Sequence, residues 1–365
     1  MSGKLKVAIA GLAHVHAIGF YGAFKKYPDE VDFIGLTDIP DAKGAAAESL
    51  ESRLAKNFRT KGPMPRIFGS LDELLAEKPD LICIGSDIAD HAAVAVQCLQ
   101  HGVNTVIEKP MALKIQDGIR MLDAARKSTA SLFVNWPIAW FPAFNVAKQM
   151  VDDGKIGRPL RVVYRSPATK GPYCSEPDFD PQKLGDIWWY RHDRGGGSLA
   201  DYSGYSFTLA TWFLKKMAKT VYGLRKNFLM PFTDVEDYSD FIIDFGDAVA
   251  QAEGSWSTFS SGEIPTGPII YGSEGTIVCD RFTSVVKVYK TFKPYVQTPP
   301  PEEVVTPPPM PDLNLARQMI DFIRDGKPVH EMITLEFNLK QLAALDAGVR
   351  SCDSGCAEAV INPFA

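Results

Sequence analysis

Short runs that are apolar throughout alternate with helical patterns over the first third of the chain. Lys6-Val7-Ala8-Ile9-Ala10-Gly11 is an apolar run broken by glycine, and a helical pattern follows through Phe20, Tyr21, Ala23 and Phe24. Residues 31–38 read as a second strand that ends in Asp38. Residues 71–75 form a short amphipathic helix, and 80–86 form a strand ending in small residues. Asp90-His91-Ala92 opens a helix that His101-Gly102 closes. Thr105-Val106-Ile107 then runs directly into Glu108-Lys109-Pro110. Runs with no polar alternation fit strands covered on both faces. Repeated strand–helix units predict a parallel sheet wound on both faces, and we place this α/β, Rossmann-type domain at residues 1–128.

The pattern changes after about residue 125. Residues 131–135 make one more strand and 141–153 an amphipathic helix. Alternating strands follow at 161–165, 220–227, 241–245, 249–256, 269–271, 276–279 and 285–289. Separated by turns, they predict an open, mainly antiparallel sheet in an α+β domain spanning 129–365. The proline-rich stretch 297–311 reads as an extended surface segment. Helices at 313–324 and 334–349 close the chain.

At 365 residues the chain is long enough for two cores. A net charge of −5 builds no basic face, so a dedicated nucleic-acid binder is not expected. No apolar run approaches the ~20 residues of a membrane span, and the apolar N-terminal run is too short for a signal-peptide core. The six cysteines are scattered and fit reduced thiols in a cytoplasmic protein. Cys352 and Cys356 lie four apart, with no second pair to complete a zinc site.

Strand, glycine turn, helix, strand, acid is a dinucleotide-binding order. Gly11, Ala13 and His14 would line a pyrophosphate turn, although the pattern is irregular: Ala13 and His16 stand where a G-x-G-x-x-G sequence has glycine. His16 should either spread helix and strand or turn its ring outward. Asp38 suits the hydroxyls of an adenosine ribose and would repel a 2′-phosphate, favouring NAD over NADP; the alternative is an aspartate capping a strand-end turn. His14-x-His16 has no obvious third ligand in the sequence, and no metal is expected. Lys109, set on a proline-stopped strand end, is either a proton donor or a solvated turn residue.

Several of these stretches resemble the Gfo/Idh/MocA family of nicotinamide-dependent oxidoreductases. The most diagnostic is Glu108-Lys109-Pro110. Asp80 through His91 is similar to the family's preceding strand–loop–helix, with Asp87-Ile88 where a Pro-Asn pair is usual. Phe141-Pro142-Ala143-Phe144 with the 154–160 stretch resembles the linking helix and its exit. Gly195-Gly196-Gly197 through Asp201 resembles the entry to a catalytic helix. The turns at 272–277 and 324–328 are weaker anchors.

The resemblance implies that Ser86, His91, Glu108 and Lys109 border the cofactor, and that Lys109, Asp201 and Tyr205 are catalytic. Asp201 and Tyr205 share a helix face as i and i+4. Tyrosine stands where much of the family has histidine, as in the subset resembling glucose–fructose oxidoreductase and dihydrodiol dehydrogenase; by its residues alone Tyr205 reads first as a packed core aromatic. Lys109 is expected to lower the phenol's pKa, and burial to lower that of Lys109. Ser203 replaces a usual glycine, with altered substrate geometry expected. Trp188, Trp189, Arg191 and His192 suit a sugar or polyol pocket, or else form an apolar cluster under a loop; Lys170 and Tyr173 are weaker candidates. The implied activity is hydride transfer between NAD and a sugar, polyol or cyclic alcohol, in a homodimer or homotetramer built through the C-terminal sheet. A catalytically silent sugar or cofactor sensor is one alternative reading, and the same hydride chemistry serving a net elimination, with the hydride returned, is another.

Overall fold

The computed structural model describes residues 3–39, 54, 65–167, 171–172, 180, 185, 187–259, 265–291 and 300–365. Lys170 and Tyr173 lie outside them. Six strands form the first sheet: β1 (Leu5–Ala10), β2 (Val31–Thr37), β3 (Ile67–Phe68), β4 (Leu81–Ile84), β5 (Asn104–Glu108) and β6 (Leu132–Asn135). Their order is β3-β2-β1-β4-β5-β6, and every pairing is parallel. All four residues of β4 are buried, as expected for a strand covered on both faces. The chain order reverses between β1 and β4, so the crevice at their carboxyl ends is the topological switch point where such sheets bind ligands. The division at 128/129 falls before the last strand of this sheet, because β6 pairs with β5.

The second sheet has nine strands. They are β7 (Pro159–Pro167), β8 (Thr220–Lys226), β9 (Tyr238–Asp244), β10 (Val249–Ser255), β11 (Ile269–Gly272), β12 (Thr276–Asp280), β13 (Val285–Tyr289), β14 (Glu303–Val305) and β15 (Glu358–Ala359). The order is β14-β13-β12-β11-β7-β10-β9-β8-β15, antiparallel except between β7 and β10. Seven of these strands match the alternating runs of the sequence to within three residues at either end. The proline-rich segment does more than run along the surface: Glu303–Val305 pairs with β13 as an edge strand, where neighbouring prolines are tolerated.

Helices Gly204–Leu214 and Leu335–Ser354 cover one face of this sheet. Gly348 lets the second helix come close, since a Cβ there would meet the Phe241 and Phe207 rings at 3.1–3.2 Å. The same helix fastens the two sheets together. Gly118 admits Leu339 and Leu342, Asp346 accepts the Ile115 N–H at 3.1 Å, and Asn338 accepts the Trp136 indole at 2.6 Å. No helix among the described residues is long and apolar enough to cross a membrane. Cys83, Cys98 and Cys279 are buried free thiols.

Candidate active site

The crevice is built by close approach of backbone. Gly11 has φ +89°, and a Cβ there would stand 2.5 Å from the Ser86 nitrogen. Only glycine lets the turn after β1 pass the turn after β4. Gly85 takes over the packing expected of a third glycine: its Cβ would lie 3.1 Å from that of Ala17, at the start of helix α1 (Ala17–Phe24). His16 therefore turns outward, its side chain 42% exposed, rather than spreading helix and strand.

His14 is buried against His16 and Trp189, with ring centroids 4.5 and 4.8 Å away. Its Nδ1 accepts the His16 N–H at 3.1 Å, so in the neutral ring the proton sits on Nε2. Burial, reinforced by the charges of His16 and Lys109, holds the His14 pKa well below the usual histidine value. The protonated Nε2 is buried with no partner among the described residues. It offers a donor to an oxygen-rich ligand.

Glu108 is fully buried, with one oxygen 2.9 Å from His16 Nδ1 and the other accepting from Asn135 at 3.1 Å. The fold thus supplies the third residue that His14 and His16 lacked in the sequence, and the three ligand atoms lie within 4.8 Å of one another. The His14 tautomer, however, leaves Nε2 a donor, and both Glu108 oxygens are engaged. Together with Asn135 these groups form a hydrogen-bond network.

Asp38 accepts the backbone N–H groups of Ile39 at 2.9 Å and Leu12 at 3.2 Å. It ties the strand-end turn to the glycine loop, so the capping reading is realised whatever else the carboxylate binds. Ser86 is buried beside Gly11. His91 is turned inward, its nitrogens 3.1 Å from the Pro110 carbonyl and 3.2 Å from that of Ser86. Burial lowers its pKa despite those carbonyls. It braces the two loops of the crevice.

Lys109 emerges from the end of β5 and is 1% exposed. The Lys109–Pro110 peptide is cis. Its ammonium donates to Asp201 Oδ1 at 2.7 Å and to the Asp201 carbonyl at 3.0 Å. Trp256, at the end of β10, donates its indole N–H to the other Asp201 oxygen at 3.1 Å. Asp201 lies on a π-helical turn, Leu199–Ser203, rather than on the α-helix expected; the α-helix begins at Gly204. The turn still keeps Asp201 and Tyr205 together, and Lys109 Nζ sits 4.6 Å from the Tyr205 ring centroid.

Both expected pKa directions are reversed. Burial alone would lower Lys109, but the charges of Asp201, Tyr205 and Glu108 outweigh it and hold the ammonium well above the ordinary lysine range. Burial raises the Tyr205 phenol beyond its usual value, and the nearby ammonium does not bring it back. Asp201 has already taken up the charge that would have stabilised a phenolate. The pair at neutral pH is an ammonium and a neutral phenol.

Ser203 faces the sheet and not the cleft. Its hydroxyl lies 2.8 Å from that of Ser239, and Gly254 leaves room for it, since a Cβ there would stand 2.3 Å from Ser203 Oγ. The expected effect of Ser203 on substrate geometry has no contact to act through.

A cleft of about 660 Å³ opens beside the ion pair, lined by Lys109, Asp201, Tyr205, Trp189 and, unforeseen in the sequence, Asn135, Trp140, Tyr202 and Arg281. Trp188 stacks on Trp189 with centroids 4.0 Å apart and donates to the Ala13 carbonyl at 2.9 Å, so it supports the glycine loop. Arg191 turns to Asp193, and His192 is exposed. Neither lines the cleft, because the short 3-10 turns at 188–190 and 192–194 point them away. Asn135 ends β6 as Glu108 ends β5, a signal that the strand pattern already carried.

Residues 5–136 match the family description "Oxidoreductase family, NAD-binding Rossmann fold", and residues 144–278 match the GFO/IDH/MocA C-terminal domain. The chain belongs to the GFO/IDH/MocA oxidoreductase family. Among curated GFO/IDH/MocA relatives, it is 26% identical over 267 residues to a trans-1,2-dihydrobenzene-1,2-diol dehydrogenase of Xenopus laevis, covering 70% of this chain and 74% of that one. It is 26% identical over 213 residues to dTDP-3,4-didehydro-2,6-dideoxy-alpha-D-glucose 3-reductase of Streptomyces violaceoruber, covering 58% and 54%. The fold matches the WlbA dehydrogenase from Bordetella pertussis, solved with NADH and UDP-GlcNAcA, at a TM-score of 0.75 and 19% identity over 99% of this chain and all of the other. An Agrobacterium radiobacter oxidoreductase, solved with NAD+, L-tartaric acid and magnesium, gives 0.72 at 19% identity over 98% and 99%.

Proposed function

We propose that the protein transfers hydride between NAD and a CH–OH carbon of a sugar, polyol or related cyclic diol. The observation that carries this reading is the buried Lys109–Asp201 ion pair beneath Tyr205, facing the cleft. The diol and deoxysugar relatives support the substrate class. The crevice fits a dinucleotide: it has a glycine cradle that a Cβ would fill, an orphaned buried donor on His14 and no side-chain cap on α1. Gly11, Ala13 and His14 would hold the pyrophosphate, Asp38 the adenosine ribose, and Ser86 and Glu108 the nicotinamide half. The bound nicotinamide supplies the hydride acceptor or donor.

The protein's own residues manage the proton. In the reducing direction, the Lys109 ammonium delivers a proton to the carbonyl oxygen, and the Tyr205 hydroxyl orients that oxygen. In the oxidising direction, Lys109 must first lose its proton before it can accept the substrate's. Asp201 holds Lys109 in place and keeps it charged. NADH binding, followed by fluorescence, tests the cofactor half. Asp38→Ala should weaken NAD binding more than NADP binding, and an unchanged NAD affinity would remove Asp38 from the ribose site.

A further inference from the structure

The charges lining the cleft do not cancel. Lys109 is matched by Asp201 at 2.7 Å. Arg281, on the turn after β12, lines the same cleft and has no carboxylate partner among the described residues. It sits on an exposed turn, with its guanidinium 5.3 Å from the Phe141 ring centroid and 5.5 Å from that of Phe282. Tyr202 lines the same cleft as Lys109 and Arg281. An exposed guanidinium with no carboxylate partner among the described residues matches the planar two-oxygen edge of a carboxylate.

We propose that Arg281 is a specificity residue for a substrate carboxylate, so that the substrate is a sugar acid or polyhydroxy acid whose carbinol reaches Lys109 and Tyr205 while its carboxylate pairs with Arg281. This rests on the oxidoreductase reading of the same cleft. The lysine pair is internally neutral and adds no attraction for an anion. Discrimination between an acid and its neutral analogue therefore falls to Arg281.

The test is equilibrium binding to the NADH complex by calorimetry, using matched pairs that differ in one carboxylate: D-glucuronate and D-glucose, D-galacturonate and D-galactose, D-gluconate and D-sorbitol. At least one acid should bind about ten-fold or more tightly than its neutral partner, as a charge-assisted pair implies. Arg281→Met should remove that difference, and Arg281→Lys should restore part of it. Lys287→Met, which removes a charge from the neighbouring strand without touching the cleft, should leave it unchanged. No binding by any acid, equal binding within every pair, tighter binding of glucose 6-phosphate than of every acid, or a preference that survives Arg281→Met would each overturn the proposal. Turnover with NAD separates the two readings. Acid binding without turnover of any member strikes the oxidoreductase reading and leaves Arg281 standing, whereas turnover of neutral sugars at or above the efficiency of the acids strikes Arg281 alone.

Discussion

Lys109 is held as an ammonium by the carboxylate beside it, and this has a direct consequence for pH. In the proposed reaction the oxidising direction needs the neutral amine, so its kcat should rise with pH through the neutral and alkaline range. The reducing direction needs the ammonium and should stay flat there. Asp201→Asn removes the largest influence raising the Lys109 pKa and leaves burial, which lowers it. The rising limb of oxidation should therefore move to lower pH in that variant, and an unmoved limb would detach Asp201 from the proton. Tyr205→Phe should lower kcat by roughly 10- to 100-fold with little change in KM if the hydroxyl orients the reacting oxygen, less than the 10²–10⁴ typical of a lost acid–base group; retained activity would return Tyr205 to the role of a packed aromatic. The sequence made Lys109, Asp201 and Tyr205 legible because they sit in local patterns. Trp256 and Arg281 were not legible, since each reaches the site from a distant strand or turn and neither lies in a distinctive local pattern. The pKa directions were missed because they depend on the 2.7 Å approach of two residues 92 positions apart.

At the scale of elements, the π-helical turn places Asp201, and the sheet shapes that turn. Its backbone is pinned by Glu236, whose carboxylate accepts the Leu199 N–H at 2.9 Å, and by Gly254, where a Cβ would stand 2.5 Å from the Ser203 nitrogen. Gly254→Ala should cost about 1–3 kcal/mol by overpacking and lower kcat by displacing Asp201. Thermal melts and steady-state kinetics would show both; a fully active, equally stable variant would mean that the turn is not set by the sheet. Burial pushes the Glu236 carboxyl up to about 7, against the hydrogen bonds that favour its ionised form. A raised carboxyl pKa means that the fold favours the protonated form, so stability is lost as pH rises from the ordinary glutamate range through about 7. Glu236→Gln should flatten that part of the stability–pH curve, and an unchanged slope would assign the loss to another group. Strand and helix positions were readable from hydrophobic period, but the π-turn was not, because its register depends on contacts with β9 and β10 and not on its own five residues.

For the whole molecule, the two sheets contribute opposite halves of one site. The first supplies the crevice and Lys109; the second supplies Asp201, Trp256 and the far wall of the cleft. The second sheet's uncovered face carries Tyr222, Leu224, Ile242 and Val249, each 40–50% exposed and brought to one side by the register of β8, β9 and β10. An apolar patch of this kind fits self-association. Ile242→Glu should shift sedimentation toward monomer, and an unchanged sedimentation coefficient would place assembly elsewhere. Leaving the Lys109–Asp201 pair half-made costs about 3–5 kcal/mol, so Lys109→Met must first be shown to be folded. Single-turnover oxidation or reduction of a bound substrate by folded Lys109→Met then tests the central claim most directly. A rate about 10²–10⁴ below that of the natural protein is predicted; a rate within about three-fold of it would contradict the assignment of Lys109 to the chemical step.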